Sequence, residues 1–483
     1  MAISRPQLRL RPVILAVWLI AAVALAMPAG ASAGPRADVS IMDDQLLLGA
    51  SQAEVDKNMA IFRTLGVDRL RVSAFWNQIA PDEESRVRPG DFDAANPFEP
   101  RYRFAGLDRV VESASRHGLK IMVTITTPAP VWASREPQRD NKLWKPQPAE
   151  FGAFTAAVVG RYAPFVDHWG VSNEPNQGVW LQPQSDRIGA VAPHVYRSLV
   201  QAAYPRIKAL DPDSLALVGE LAAAGRQGTG DTVPLRPLRF LRAMACRDAR
   251  YRPIRRGRCK NFQPVPMDAV GHHPYQLLLA PNLRSANKDD AAINDGRRLL
   301  KVVDRLTRLG AFQPGAGKRL DLYYTEFGYQ TSPPDPFAGV SLSQQKAYLQ
   351  KAAFIAWSTP RVREINQFRL TDGLLSGRGP QRFAEFQSGL LFRDRRPKPA
   401  NAIFPHPFVI SGTRFWGHVR PGAGHSVRVE YRRNSRGKFR EVAQVLTSSR
   451  GYFNFRLRGR KPGQYRYRYS DPLATSGIVT VRR

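Results

Sequence analysis

Two glutamates stand at positions suited to paired acid and base chemistry. In "HWGVSNEPNQGVW" (168 to 180), Glu174 follows an apolar run and sits between an asparagine and a proline; in "LDLYYTEFG" (320 to 328), Glu326 closes a second apolar run. Two such carboxylates can divide the work of opening a glycosidic bond. One, protonated, gives its proton to the leaving oxygen, and the other, ionised, attacks or stabilises the anomeric carbon. Their surroundings must then differ enough to hold opposite protonation states near neutral pH. "DRLRVSAFW" (68 to 76) supplies Arg71, a fixed positive charge that would keep one glutamate ionised, and "HHPY" (272 to 275) supplies His273 and Tyr275, whose phenol could donate to the same carboxylate.

These residues share one kind of position. From Gln45 to about Arg396, short apolar, β-branched runs alternate with longer amphipathic stretches, the pattern of parallel strands covered by helices. Eight strands are expected, at 46–50, 68–76, 120–127, 166–173, 215–220, 268–275, 320–328 and 365–372. Helices are expected at 52–66, 104–118, 149–163 and 341–358, the first two ending in cap glycines, Gly66 and Gly118. Eight strand–helix units predict an α/β fold, an eight-stranded TIM barrel, whose chemistry gathers at the C-terminal ends of its strands. An open doubly wound sheet would need a glycine-rich loop after its first strand, and "LLLGASQAEV" has none. By this rule Arg71 and Trp76 belong to strand 2, Asn173 and Glu174 to strand 4, His272, His273 and Tyr275 to strand 6, and Glu326 to strand 7. The two glutamates face each other across the mouth.

"SNEPN", "HHPY" and "YYTEFG", in that order, resemble the clan A glycoside hydrolases over roughly residues 40 to 400. That resemblance implies a retaining double displacement on the eight-stranded barrel. Glu174 would be the acid/base, Glu326 the nucleophile, and Asn173 a contact to the hydroxyl beside the reacting carbon. His273 and Tyr275 match the His-x-Tyr of strand 6, which touches sugar and orients the nucleophile, and Arg71 matches the strand 2 arginine that keeps the nucleophile ionised. "GLLFRDRRPKPA" (389 to 400) resembles the closing strand-to-helix passage of such enzymes. Family 5 of the clan has a histidine late in strand 3 and a tryptophan ending strand 8, whereas "TITTPAP" and "INQFRLTD" have neither; Phe368 or Arg369 stands in the tryptophan's region. "SNEPN" and "HHPY" also resemble family 39. Sugar faces pack on flat rings, so Trp76, Trp132 and Trp180, each after a strand end, are candidate subsite walls; Trp169 and Trp357 belong to the core.

Two other readings use the same residues. A barrel that binds carbohydrate or cell wall without cleaving it would explain the departures at strands 3 and 8, and a transglycosidase would share the glutamate pair. No metal-ligand cluster, phosphate loop or Ser-His-Asp arrangement stands beside the pair, and "GAGKR" (315 to 319) lacks the Ser or Thr of a P-loop, so no cofactor is expected.

The rest of the chain concerns where the protein works and what it meets. Arg5, Arg9 and Arg11 precede 15 apolar residues (13 to 27) and small residues at Ala31 and Ala33. That is the order of a secretory signal over 1–33, and the run falls short of the roughly 20 residues a membrane-spanning helix needs. The only cysteines, Cys246 and Cys259, fall in one Arg-rich loop, and in an oxidising compartment they predict a disulfide. The barrel is assigned to 34–403. After the proline-interrupted "RRPKPANAIFPHP" (395 to 407), short alternating runs predict a small antiparallel β-sandwich of immunoglobulin-like form over 404–483. The chain carries a formal charge of +32, and residues 405 to 483 hold 17 Lys and Arg against Glu430, Glu441 and Asp471. Such charge suits an anionic polysaccharide or wall, or is an ordinary arginine-rich surface; a secreted chain without a nucleic-acid-binding signature is not expected to meet nucleic acid. The expected protein is a secreted monomer acting on carbohydrate.

Overall fold

A computed structural model of the chain describes residues 37–315, 319–470 and 473–482; the signal assigned to 1–33 lies outside them. Eight parallel strands close into a barrel: β1 (Asp38–Met42), β2 (Arg69–Phe75), β3 (Lys120–Thr126), β4 (His168–Val171), β5 (Leu215–Ala222), β6 (Ala269–His273), β7 (Asp321–Tyr324) and β8 (Val362–Phe368). Each pairs with its chain neighbours, and β8 returns to β1 with Asp38 opposite Glu364 and Met42 opposite Phe368.

The alternation along β2 explains how one strand serves both core and site. Leu70, Val72 and Ala74 point outward and are buried under the helices, while Arg69, Arg71 and Ser73 point into the barrel. Arg69 closes the N-terminal end of the barrel, bonded to Asp38 (2.9 Å), Glu364 (2.7 Å) and Asp167 (2.6 Å). Arg71, one inward position higher, reaches the opposite end.

The main covering helices are α1 (Gln52–Thr64), α2 (Ala105–Arg116), α3 (Pro148–Tyr162), α4 (Ala192–Leu210), α5 (Pro237–Met244), α6 (Gly296–Arg308) and α7 (Leu342–Ser358). Their starts are written locally: Ser51 caps α1, Pro148 opens α3, and Ser341 with Gln344 forms a capping box on α7. Gly66 and Gly118 take the left-handed conformation (φ 68° and 67°) that ends α1 and α2 before the next strand.

The first strand corrects the sequence expectation. Residues 46–50 form a helical turn and a bend, not a strand, and β1 lies upstream in "DVSIM". Asp43 accepts a bond from the Leu46 amide and starts a turn over Asp44–Leu47, in which only Leu47 is fully buried. Asp38 and Ser40 disguise the true strand, because polar residues in a short run read as loop. Both point into the barrel, where Arg69 and Glu364 satisfy them.

Beyond Pro407 the chain forms β9 (Phe408–Ser411), β10 (Arg414–His418), β11 (Ser426–Arg432), β12 (Arg440–Leu446), β13 (Tyr452–Arg456), β14 (Gly463–Ser470), β15 (Leu473–Thr475) and β16 (Val479–Val481). They make two antiparallel sheets, β9-β10-β13 and a second of β12, β11, β14, β15 and β16, around Phe408, Phe415, Val427, Phe453 and Tyr467. In "YRYRY" the three tyrosines are buried; Arg466 and Arg468 face outward and pair with Glu430 at 2.7 and 3.7 Å. This strand face is a paired surface. Trp416 packs on Phe354 and Trp357 of α7, and Tyr452 donates to the Ala37 carbonyl at 2.8 Å, so the sandwich seats against the barrel's helical side and its N-terminal end. Cys246 and Cys259 form the expected disulfide. No helix among the described residues is long and apolar enough to cross a membrane.

Candidate active site

The C-terminal end of the barrel opens into a cleft of about 1050 Å³. After β4 the backbone turns sharply, with positive φ at Ser172 (63°) and Glu174 (37°), which directs Asn173 and Glu174 toward the mouth. Neighbouring strands hold that turn: the Asn173 amide donates to Thr126 Oγ1 at 2.9 Å, and the Glu174 amide donates to the Glu220 carbonyl at 3.0 Å. Left-handed backbone at non-glycine residues is unfavourable and persists where surroundings enforce it, commonly at functional sites.

Arg71 is the hub. Its Nε donates to Thr124 Oγ1 (3.1 Å), Nη2 to Asn173 Oδ1 (2.8 Å) and Glu220 Oε2 (2.8 Å), and Nη1 to Glu326 Oε2 (3.1 Å). The other oxygen of Glu326 accepts the Tyr275 hydroxyl at 2.7 Å. His273 stands between the two predicted glutamates, its Nδ1 2.9 Å from Glu174 Oε1 and 3.4 Å from Glu326 Oε2. One oxygen of each carboxylate and a nitrogen of His273 lie within 4.8 Å of one another.

The surroundings separate the groups electrostatically. Burial, together with the nearby charge of Glu326, raises the Glu174 carboxyl above its usual range against the opposing pull of His273 and Arg71. Burial works against the charged form of His273, but Glu326, Glu174 and Glu220 outweigh it and raise the imidazole to about 9. Burial and the adjacent Glu326 push the Tyr275 phenol well above 10, so it remains a donor. Asp44, whose Oδ1 accepts from the Ser73 amide, is pushed up to about 6 by burial. Glu174, His273 and Glu326 are close enough to hold a cation, yet a protonated His273 offers two N–H groups and no lone pair. His194 also lies beside Cys246 and Cys259, whose sulfurs are committed to the disulfide.

Six of the residues singled out in the sequence therefore converge: Arg71, Asn173, Glu174, His273, Tyr275 and Glu326. Trp180 also lines the cleft, stacked on Phe75 with ring centroids 6.3 Å apart and planes 14° from parallel. Trp76 and Trp132 do not line it. They are 1% and 3% exposed, packed against each other edge to face, and Trp76 stacks on Phe154 of α3. The strand alternation accounts for Trp76: residues 69, 71, 73 and 75 face inward, so position 76 turns to the outer core and Phe75 reaches the mouth. Trp132 lies in a short 3₁₀ turn after β3 and donates its indole N–H to the Pro81 carbonyl at 3.0 Å. Trp169 and Trp357 are buried, as expected.

No model of a protein family matches the sequence, and no curated protein matches it. Solved structures do. A family 39 glycoside hydrolase from Bacteroides cellulosilyticus WH2 superposes with a TM-score of 0.51 at 16% identity, over 93% of this chain and 81% of that one. A family 5 structure, GH5_18 from Streptomyces cattleya, gives 0.48 at 15% identity over 76% and 78% of the two chains, and the β-glycosidase of Thermosphaera aggregans gives 0.46 at 16% over 73% and 84%. The chain has the fold of the clan A glycoside hydrolases.

Where family 5 has a histidine late in strand 3, this strand carries threonines. Thr124 accepts from Arg71 and Thr126 from the Asn173 amide, so this strand braces the site through hydroxyls. At the end of β8, Phe368 lines the cleft in the region where family 5 has a tryptophan, edge-on to Tyr275 (6.3 Å, 87°) and Phe386 (5.4 Å, 88°).

The sequence reading missed Glu220, Thr325 and Asp44. Glu220 is fully buried on β5, bonded to Arg71 and to the Thr325 hydroxyl (2.9 Å), with its Oε2 3.6 Å from His273 Nε2. The rule that found Glu174 could have found it: "LALVGE" is an apolar run ending in an acid. Asp44 was hidden by the misplaced first strand.

Proposed function

We propose that the protein is a secreted retaining glycosidase that cleaves β-linked glycosides by double displacement. The observation that carries this reading is the close approach of Glu174 and Glu326, with oxygens within 4.8 Å, under unlike partners. Retaining enzymes hold their carboxyl groups about 5 to 5.5 Å apart, inverting ones about 6.5 to 9.5 Å. Glu326 is gripped from both sides by Arg71 and Tyr275, while Glu174 is the carboxyl that burial raises.

In the first step Glu326 attacks the anomeric carbon as the bond to the leaving oxygen breaks, and that oxygen takes the proton of Glu174. In the second, Glu174, now a carboxylate, removes a proton from water; the resulting oxygen bonds to the anomeric carbon and Glu326 departs as a carboxylate. Asn173 lines the cleft with its Oδ1 occupied by Arg71, which leaves its amide nitrogen as the group to donate to a sugar hydroxyl. Phe75 and Trp180 supply a flat apolar wall for the sugar ring. The N-terminal segment and the disulfide support secretion, and the cationic surface suits an anionic polysaccharide or wall polymer.

The test is a screen of aryl β-glycosides, xylan, glucans and acidic polysaccharides for new reducing ends, followed by Glu326→Ala. That variant should lose turnover, and azide should restore it with inverted product. Unchanged activity in the variant, or tight binding without cleavage of every substrate, would overturn the reading; the latter would favour a carbohydrate-binding barrel. Products longer than the substrate would mark a transglycosidase.

A further inference from the structure

We propose that Glu220 is a positioning residue of this reaction: through its carboxylate on Arg71 and His273, and its carbonyl on the Glu174 amide, it sets the unlike protonation of Glu174 and Glu326. The inference rests on the glycosidase reading above and adds a residue that touches no reacting atom.

Three observations point the same way. First, the backbone is bent to bring Glu220 to the site. Its φ is 48°, and the pairing of β5 with β6 breaks register between Val218 and Leu221, a bulge that re-aims the side chain into the barrel. Second, space is kept for it. Gly271 lies against the carboxylate, and a β-carbon there would collide with Glu220 Oε1. Third, it has no exposed surface, and its bonds go to the site: Oε2 to Arg71 at 2.8 Å, Oε1 to Thr325, the neighbour of Glu326, at 2.9 Å. A buried carboxylate kept by a strained backbone and a missing side chain is a costly way to fill space.

Counting charge gives the role. Glu220 is surrounded by Arg71 from β2, His273 from β6, Glu174 after β4, Glu326 after β7 and Tyr196 from α4, with Asp44 and Tyr275 beyond Arg71 and Glu326. Burial works to neutralise Glu220, but Arg71 and His273 outweigh it and keep the carboxyl ionised. Three carboxyls, Glu174, Glu220 and Glu326, then share two cations, Arg71 and His273, and Asp44 adds negative charge behind Arg71; this surplus of acid favours a proton on one of the three. Arg71 and Tyr275 both donate to Glu326, whereas Glu174 is the carboxyl that burial raises, so the proton falls to Glu174. Without Glu220 that surplus is smaller by one charge, and Glu174 would ionise at lower pH, too early to act as an acid.

The test compares Glu220→Gln and Glu220→Asp in the full-length protein. The acid must be protonated, so kcat/KM falls above the pKa of Glu174, and Gln should move that alkaline limb down by about one pH unit. It should also lower kcat about tenfold or more with little change in KM. Asp keeps the charge but not the reach to Arg71: its limb should stay within a few tenths of a pH unit while kcat falls. A space-filling role differs at Gln, which it expects to be tolerated with its alkaline limb unmoved; both roles expect Asp to lower kcat. A Gln profile that overlays the parent's overturns the proposal. Should the Gln variant not fold, Asp decides: kcat within about twofold of the parent refutes the role. A carboxyl-carbon NMR titration with labelled glutamate, assigned with Glu174→Gln, reads the Glu174 pKa in parent and variant without substrate. It separates failure of this inference, an unmoved pKa, from failure of the glycosidase reading, a shifted pKa in a protein that turns over nothing.

Discussion

Tyr275 donates its hydroxyl to Glu326 Oε1 at 2.7 Å, across from Arg71, which reaches the other oxygen at 3.1 Å. The two contacts leave the Glu326 carboxylate little rotational freedom and aim it across the cleft at Glu174. A hydrogen bond to a charged group contributes about 1.5 to 3 kcal/mol. Tyr275→Phe should therefore lower kcat/KM about 10- to 100-fold on any substrate found, with a fall of no more than a few degrees in melting temperature. Loss confined to KM would mean that Tyr275 binds sugar and does not orient Glu326.

Stability should fall at alkaline pH because of His273. Its folded-state value is raised to about 9 from an ordinary 6.5, so its contribution is complete below about 6.5 and is lost as pH rises through about 9. The size is on the order of 3 kcal/mol between those limits. Urea unfolding at pH 6.5 and 9.5 measures it, and His273→Asn should flatten the difference. A parent protein equally stable at both values would contradict the assignment.

Trp180 and Trp132 should part company on mutation. Trp180→Ala removes half of the stacked pair at the cleft and should raise KM several-fold, by loss of about 1 kcal/mol of ring packing, with little effect on stability. Trp132→Ala opens a cavity in the outer core and should cost about 3 to 5 kcal/mol in unfolding free energy. Thermal melts and Michaelis profiles on both variants distinguish them; a KM effect at Trp132 in a fully folded variant would return it to the site.

The sequence by itself determined the barrel and much of the site. Alternating apolar strands and amphipathic helices leave few other ways to bury both faces of a parallel sheet, and an acid at the end of such a strand must surface at one end of the barrel. That logic reached Glu174, Glu326, Arg71, His273 and Tyr275 from strand ends alone. It failed where a strand is polar on its inner face, as in "DVSIM", because Asp38 and Ser40 have partners on strands far away in sequence: Glu364 and Arg69. It failed for Trp76, where alternation from Arg71 was there to be read, and for Trp132, whose turn no periodicity predicts. The strand-end rule could have brought Glu220 to the mouth; only the tertiary structure decided which residues it bonds there. Its contacts to Arg71 and Thr325 span 149 and 105 residues, and they exist because barrel closure brings the ends of β2, β5 and β7 to one cleft.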